Sequence, residues 1–143
     1  SFMGVNERGQ GSIVRTKGNQ YTHLILRGGK APNYEPKFIK ESEELFKLYD
    51  LIPNIMVDCS HSNSNKDYKK QHVVVENVCQ QLLNGEENIV GVMIESNINE
   101  GKQSICDELK YGVSITDGCI GWEETEKILE KLSNTVIKRR KIN

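Results

Sequence analysis

Arg27, His61 and Glu95 are spaced 34 residues apart in each step, and each stands at or just beyond the polar end of a short apolar run. A fourth group, Asp117, is the single acid in the loop Gly112–Gly121. One imidazole and two carboxylates suit a divalent transition ion such as Mn²⁺, Fe²⁺, Co²⁺ or Zn²⁺. The imidazole disfavours Mg²⁺ and Ca²⁺, which take oxygen donors. An ion with an open coordination position would polarise a substrate carbonyl. Arg27 offers a planar fork for a phosphate or carboxylate, and Gly28-Gly29 after it let backbone N–H groups approach an anion. The pattern therefore expects His61, Glu95 and Asp117 as metal ligands and Arg27 as an anion binder.

Each residue also has a plainer reading. A histidine at a strand end is more often hydrogen-bonded structure than a ligand. Glu95 reads equally as a solvated strand end, although it follows a wholly apolar run, where a buried acid needs a partner. Asp117 fits a helix-approach cap, and Arg27 a structural ion pair. The equal spacing is what favours the joint reading. His23, at the start of a strand, and His72, early in a helix, have no such support.

The elements that must position these groups follow from periodicity. His23–Leu26 runs into Arg27, Ile55–Val57 runs through Asp58-Cys59-Ser60 to His61, and Asn88–Ile94 runs into Glu95. Each run is β-type and is followed by a helical pattern. The helices are expected to end near Asp50, to span about Asp67–Leu83 with Asn84-Gly85 as the stop, and to span about Glu123–Arg140. A period of 34 residues alone would suit a helical repeat, but a β-type run followed by one helix in each period excludes that and matches a βα unit. Successive βα units imply a parallel sheet, with chemistry at the carboxyl ends of its strands. If the strands are regular neighbours, Arg27, His61 and Glu95 lie side by side on one rim, and Cys59 shares a face with His61. Ahead of them, Phe2–Val5 and Ser12–Thr16, joined by Asn6–Gly11, read as a β-hairpin. The expected organisation is a hairpin over 1–17, a turn at Lys17–Gln20, and three βα units over 21–143.

Composition sets outer limits. The chain has 143 residues, 36% hydrophobic and 27% charged, with a formal net charge of −1. That is a globular composition, and it argues against a nucleic-acid platform or a membrane span. The basic end Lys138–Lys141 reads as the favourable end of a helix dipole. Four cysteines without a CxxC pair suggest no zinc ribbon, no redox motif and no secreted disulfide framework, so a cytoplasmic setting is the expectation. Cys59 reads best as a small buried packing residue. The chain starts at Ser1, directly in an apolar run, and three parallel strands leave a sheet face uncovered. A piece of a longer protein is therefore expected.

Four motifs carry a resemblance: Leu26–Lys30, Asp58–Asn63, Gly91–Ser96, and Ser114–Asp117 with Ile120–Glu123. In their order and length they resemble class I DAHP (3-deoxy-D-arabino-heptulosonate-7-phosphate) synthase, from Ser1 to Asn143. Val92–Gly101 and Tyr111–Asp117 look closest to the tyrosine-sensitive branch. The resemblance implies an α/β fold, the last part of a (β/α)₈ barrel: strands six, seven and eight with their helices, preceded by an inserted regulatory hairpin. It implies condensation of phosphoenolpyruvate with erythrose 4-phosphate to DAHP and phosphate, the first step of the shikimate pathway. Arg27 matches a phosphoenolpyruvate-binding arginine, and His61, Glu95 and Asp117 match metal ligands. Arg27 and His61 thus become the catalytic candidates. Phe2, Gly4 and Val14 match positions of a feedback-inhibitor pocket at a subunit contact in a homodimer or homotetramer. Glycine rather than serine at position 4 favours tyrosine over phenylalanine as effector, because a missing side chain leaves room for a phenolic hydroxyl; Gly4 also reads as a simple bend in the hairpin.

The departures are as informative. The family's cysteine metal ligand, its Lys-Pro-Arg-Thr loop and its further basic substrate contacts lie on earlier strands that have no counterpart here. Cys59 and Cys119 do not stand at the ligand position. This chain alone is expected to be inactive. The alternatives are a catalytically silent fragment or regulatory module and, more remotely, an unrelated metal-binding α/β protein.

Overall fold

The structure is a computed structural model that describes residues 1–19 and 21–141. Gln20, in the expected turn, and Ile142-Asn143, at the end of the expected third unit, lie outside the described residues.

The hairpin forms as an antiparallel pair, β1 (Phe2–Val5) and β2 (Gly11–Val14). Its second strand starts one residue earlier and ends two residues sooner than the pattern suggests. The turn is closed by the Asn6 side chain, whose Oδ1 accepts from the backbone N–H groups of Arg8 and Gln10 at 3.0 Å each.

Three strands then build a parallel sheet in the order β3 (Leu24–Leu26), β4 (Ile55–Asp58), β5 (Ile89–Met93). Helix α1 (Pro36–Leu48) follows β3, α2 (Gln71–Leu83) follows β4, and α3 (Trp122–Arg139) ends the described fold. Pro36 begins α1, where its missing N–H costs nothing. A 3-10 turn at Tyr68–Lys70 leads into α2 and is capped by Asp67, which accepts from the Lys69 N–H at 3.1 Å. Asn84-Gly85 ends α2, with Gly85 at φ +96° and the Glu86 N–H returning to the Gln81 carbonyl at 3.0 Å. Helix α3 carries Glu123 and Glu124 in its first turn and Lys138 and Arg139 in its last, which places charge as its dipole favours.

Alternation sets the core. Ile55 and Val57 of β4 are wholly buried, as are Val75 and Val78 of α2 and Ile39 of α1; Ile128 brings α3 in. The opposite face of the sheet carries Ile25, at 40% exposure, with Met56 and Gly91 in register beside it. Helix α1 buries only Ile39 and Ser42, while Leu45 and Tyr49 are exposed. Among the described residues, no helix is long and apolar enough to cross a membrane.

The strand register corrects one expectation. Leu26 pairs with Val57, and Val57 with Val92. Extending that register, the row at the strand ends is Arg27, Asp58 and Met93, not Arg27, His61 and Glu95. Equal spacing in sequence is not equal height in the sheet: Leu26 pairs with Val57, 31 residues on, whereas Val57 pairs with Val92, 35 residues on, past the irregularity at Ile55/Met56. His61 and Glu95 reach the rim from beyond the ends of their strands.

Candidate active site

Strand β4 ends on Asp58, which is fully buried. A buried carboxylate needs partners, and it has three. Its Oδ1 accepts from the Ser60 N–H at 2.8 Å, its Oδ2 meets His61 Nδ1 at 2.7 Å, and Arg27 Nε stands 3.8 Å from the same Oδ2. The chain then turns sharply, with His61 at φ +47°, Asn65 at φ +56° and Lys66 at φ +60°. Left-handed backbone at a β-carbon-bearing residue is uncommon and is kept where surrounding contacts fix it. Here Lys66 N–H donates to the His61 carbonyl at 2.7 Å. Cys59 is buried but does not share a face with His61, because the regular strand stops before it.

Asn63, 2% exposed, braces this turn. Its amide donates to the carbonyls of Leu26 at 3.0 Å and Asp58 at 2.8 Å, and its Oδ1 accepts from the Asn33 N–H at 2.8 Å. The ends of β3 and β4 are thereby tied together beyond their last ladder bonds. Gly28, at φ +76°, has no room for a β-carbon, which would lie 2.6 Å from Ser62 Cβ. Its N–H donates to Asn33 Oδ1 at 2.7 Å, and the Gly29 N–H donates to the Ala31 carbonyl at 3.1 Å. The expectation that these two N–H groups await an anion is corrected: both are spent inside the loop, and Gly28 is required for close packing.

Glu95 lies two residues past β5. Its carbonyl accepts from the Gln71 side chain at 2.9 Å and from the Ile120 N–H at 3.0 Å, and its own N–H donates to Gln71 Oε1 at 2.9 Å. The excursion after β5 is more ordered than a loop. Ser96 bridges Ile120, Gly101 bridges Cys119 and Lys102 bridges Ser114. This pairing carries Asp117 back over the rim. The Tyr68 ring fills the place where a β-carbon of Gly118 would sit, 2.7 Å from Cδ1, so the neighbour of Asp117 also has to be glycine.

These supports bring the three candidate ligands together. With Nδ1 occupied by Asp58, His61 turns Nε2 towards Glu95 Oε1 at 3.8 Å and Asp117 Oδ2 at 3.6 Å. One donor atom from each of the three residues lies within 4.8 Å of the others. Donors each about 2.1 Å from a shared ion stand roughly 3.0–3.4 Å apart at right or tetrahedral angles, so a small inward adjustment suffices. The carboxylate–imidazole pairing of Asp58 and His61 is the usual outer support of a metal-ligating histidine. The donor set fits a divalent transition ion.

Arg27, Lys66, Lys102, Tyr68, His61 and Asp117 line a cavity of about 620 Å³ over this cluster. Arg27 is largely exposed, its guanidinium leaning on Asp58 and facing the cavity. Among the described residues, no thiol joins the cluster of His61, Glu95 and Asp117. Burial, reinforced by the Asp58 carboxylate and by Cys79, pushes Cys59 up to about 12, and burial raises Cys119 as well. His23 and His72 are not part of the cluster, and His72 rests on the Lys69 carbonyl at 2.8 Å. Phe2, Gly4 and Val14 share one face of the hairpin. A β-carbon on Gly4 would lie 2.8 Å from Val14 Cγ2, so the space at Gly4 is filled by Val14 rather than left open.

The residues that sequence reasoning missed are the supports. Asp58 carried a signal, as an acid closing a buried strand three residues before a histidine. Gln71 carried one too, as a polar residue in phase with Val74, Val75 and Val78. Asn63 carried none.

The sequence profile of the DAHP synthetase I family matches residues 1–130. The chain belongs to that family. It is 50% identical over 134 residues to the Tyr-sensitive phospho-2-dehydro-3-deoxyheptonate aldolase of Salmonella typhimurium, covering 92% of this chain and 38% of that protein. It is 48% identical over 141 residues to the Phe-sensitive enzyme of Escherichia coli, covering 97% of this chain and 40% of that protein. The fold superimposes on the phospho-2-dehydro-3-deoxyheptonate aldolase of Francisella tularensis with a TM-score of 0.86 at 41% identity, covering 96% of this chain and 41% of that one. The chain thus spans about two fifths of the length of these three family members.

Proposed function

We propose that this chain supplies the metal-ligating part of a DAHP synthase, which condenses phosphoenolpyruvate with erythrose 4-phosphate. The observation that carries this reading is the convergence of His61, Glu95 and Asp117 under a cavity that Arg27 also lines. A divalent transition ion bound there supplies a Lewis acid for the sugar-phosphate aldehyde. His61 would offer Nε2 to the ion while Asp58 fixes the ring through Nδ1. Glu95 and Asp117 would balance its positive charge, and Asp117 also lines the cavity. Arg27 grips the phosphate or carboxylate of phosphoenolpyruvate with its free guanidinium N–H groups and is kept extended by Asp58. In this reading β3, β4 and β5 are strands six to eight of the barrel, and the hairpin over 1–17 is its inserted regulatory element. An aromatic amino acid is the effector, acting at Phe2, Gly4 and Val14 where subunits of an oligomer meet; tyrosine is favoured over phenylalanine by the Tyr-sensitive relative rather than by space at Gly4.

A second reading applies to the chain by itself. It covers 38% of the Salmonella relative, and one face of its sheet leaves Ile25 exposed. Alone it is catalytically silent, and turnover requires the remaining strands.

The test is phosphoenolpyruvate consumption with erythrose 4-phosphate and Mn²⁺, using the protein expressed from its native gene and its His61→Ala variant. Activity in the first, with a loss of roughly 100-fold or more in the second, is expected. Equal activity in both sinks the ligand assignment.

A further inference from the structure

Gln71 is wholly buried at the start of α2, yet it is polar and sits in phase with that helix's apolar face. Burying an amide without partners costs free energy, so its hydrogen bonds show what holds it there. Both ends of the amide are committed to one residue. Nε2 donates to the Glu95 carbonyl at 2.9 Å, and Oε1 accepts from the Glu95 N–H at 2.9 Å. This is the exchange that a neighbouring strand residue would make, performed by a side chain. It occurs two residues beyond the end of β5, where the ladder to β4 has stopped.

We propose that Gln71 is a positioning residue that fixes the Glu95 backbone, and through it the Glu95 carboxylate, for metal ligation. The inference rests on the metal reading of His61, Glu95 and Asp117. Its logic is geometric. His61 is steered by Asp58, and Asp117 is brought in by the bridges around Ser96, Gly101 and Lys102. Glu95 has left its strand, and of its two backbone groups the N–H is held by Gln71 and the carbonyl by Gln71 and Ile120. Without Gln71 the N–H of Glu95 is left unpaired, and residues 94–95 are free to rotate the carboxylate away from His61.

Gln81 provides an internal control. It is a second buried glutamine on α2, 5% exposed, bonded to the Tyr34 carbonyl at 2.7 Å and remote from the cluster. The experiment titrates Mn²⁺ into the protein expressed from its native gene, read by calorimetry and by the electron paramagnetic resonance line shape of bound Mn²⁺. Gln71→Met keeps length and removes both bonds. Gln71→Leu also removes both bonds, adds no charge to a wholly buried position, and covers the case in which the methionine variant does not fold. Both are expected to weaken Mn²⁺ binding about 10- to 100-fold and to broaden the line shape, while Gln81→Met lowers thermal stability and leaves Mn²⁺ affinity unchanged. Wild-type Mn²⁺ affinity and line shape in a folded Gln71 variant overturn the proposal. So does an equal loss of affinity in Gln81→Met, which would make the effect one of general helix stability. Glu95→Ala separates the two claims: if it binds Mn²⁺ like wild type, the metal reading falls and takes this inference with it, whereas if it does not bind and Gln71→Met does, only the inference falls.

Discussion

The rim around His61 and the hairpin at the start of the chain solve opposite problems. At the rim, polar groups are buried and every bond they make is internal: Asp58 to Ser60, His61 and Arg27, Asn63 to Leu26, Asp58 and Asn33, and Gln71 to Glu95. In the hairpin, apolar groups face outwards: Phe2, Met3, Val5 and Ile13 are all more than half exposed. The rim is preorganised by this chain, whereas the hairpin presents a surface whose burial needs something else. A site that must hold an ion to within tenths of an ångström has to be rigid before the ion arrives. In the proposed reading, this exposed apolar ribbon is where subunits meet.

The sharpest way to break the rim is Asp58→Ala, which leaves His61 unoriented and removes the carboxylate from a wholly buried cluster. A loss of about 3–5 kcal/mol is expected, read by urea denaturation of the expressed protein. Asp58→Asn should cost less stability yet still weaken Mn²⁺ binding about 10-fold or more, because it cannot anchor the Nδ1 proton as a carboxylate does. Next in size is Gly28→Ala. A methyl group at φ +76°, 2.6 Å from Ser62 Cβ, forces the turn that carries His61 to move, and about 1–3 kcal/mol is expected from the strain.

Cys59 tests the depth of the rim through pH. Burial raises its thiol from an ordinary 9.0 to about 12 in the folded protein. The neutral thiol's contribution is therefore fully present below pH 9 and is lost as pH rises towards 12, because the unfolded chain ionises first. Cys59→Ala should flatten the alkaline fall in stability over that window, and an unchanged profile would contradict the burial. The smallest effect belongs to the hairpin. Ile13→Ser should change monomer stability by no more than about 0.5 kcal/mol while altering subunit association in sedimentation velocity. A large loss of stability there would erase the contrast between the two regions.

Much of this was legible in the sequence. The strands, the helices and their order follow from apolar runs and from stop signals such as Asn84-Gly85, because those depend on local chemistry. Arg27, His61, Glu95 and Asp117 were legible as chemical types. Their mutual placement was legible only in outline: the strand register put Asp58, not His61, level with Arg27. The supports were largely hidden. The amide bonds of Asn63 and Gln71 reach 37 and 24 residues along the chain, and no periodicity reports a contact made by one side chain on a distant backbone. Gly28 was legible as a glycine that matters, but for the wrong reason, since its role is space for Ser62 and Asn63 rather than an open anion cradle.

The central claim is that His61, Glu95 and Asp117 hold one metal ion. Its most direct test is anomalous diffraction at the manganese edge from crystals of the expressed protein grown with Mn²⁺. A single strong peak about 2.0–2.3 Å from His61 Nε2 and from a carboxylate oxygen of both Glu95 and Asp117 is the expected result. Bound Mn²⁺ located elsewhere, with His61 Nε2 still paired only to the two carboxylates, would contradict it.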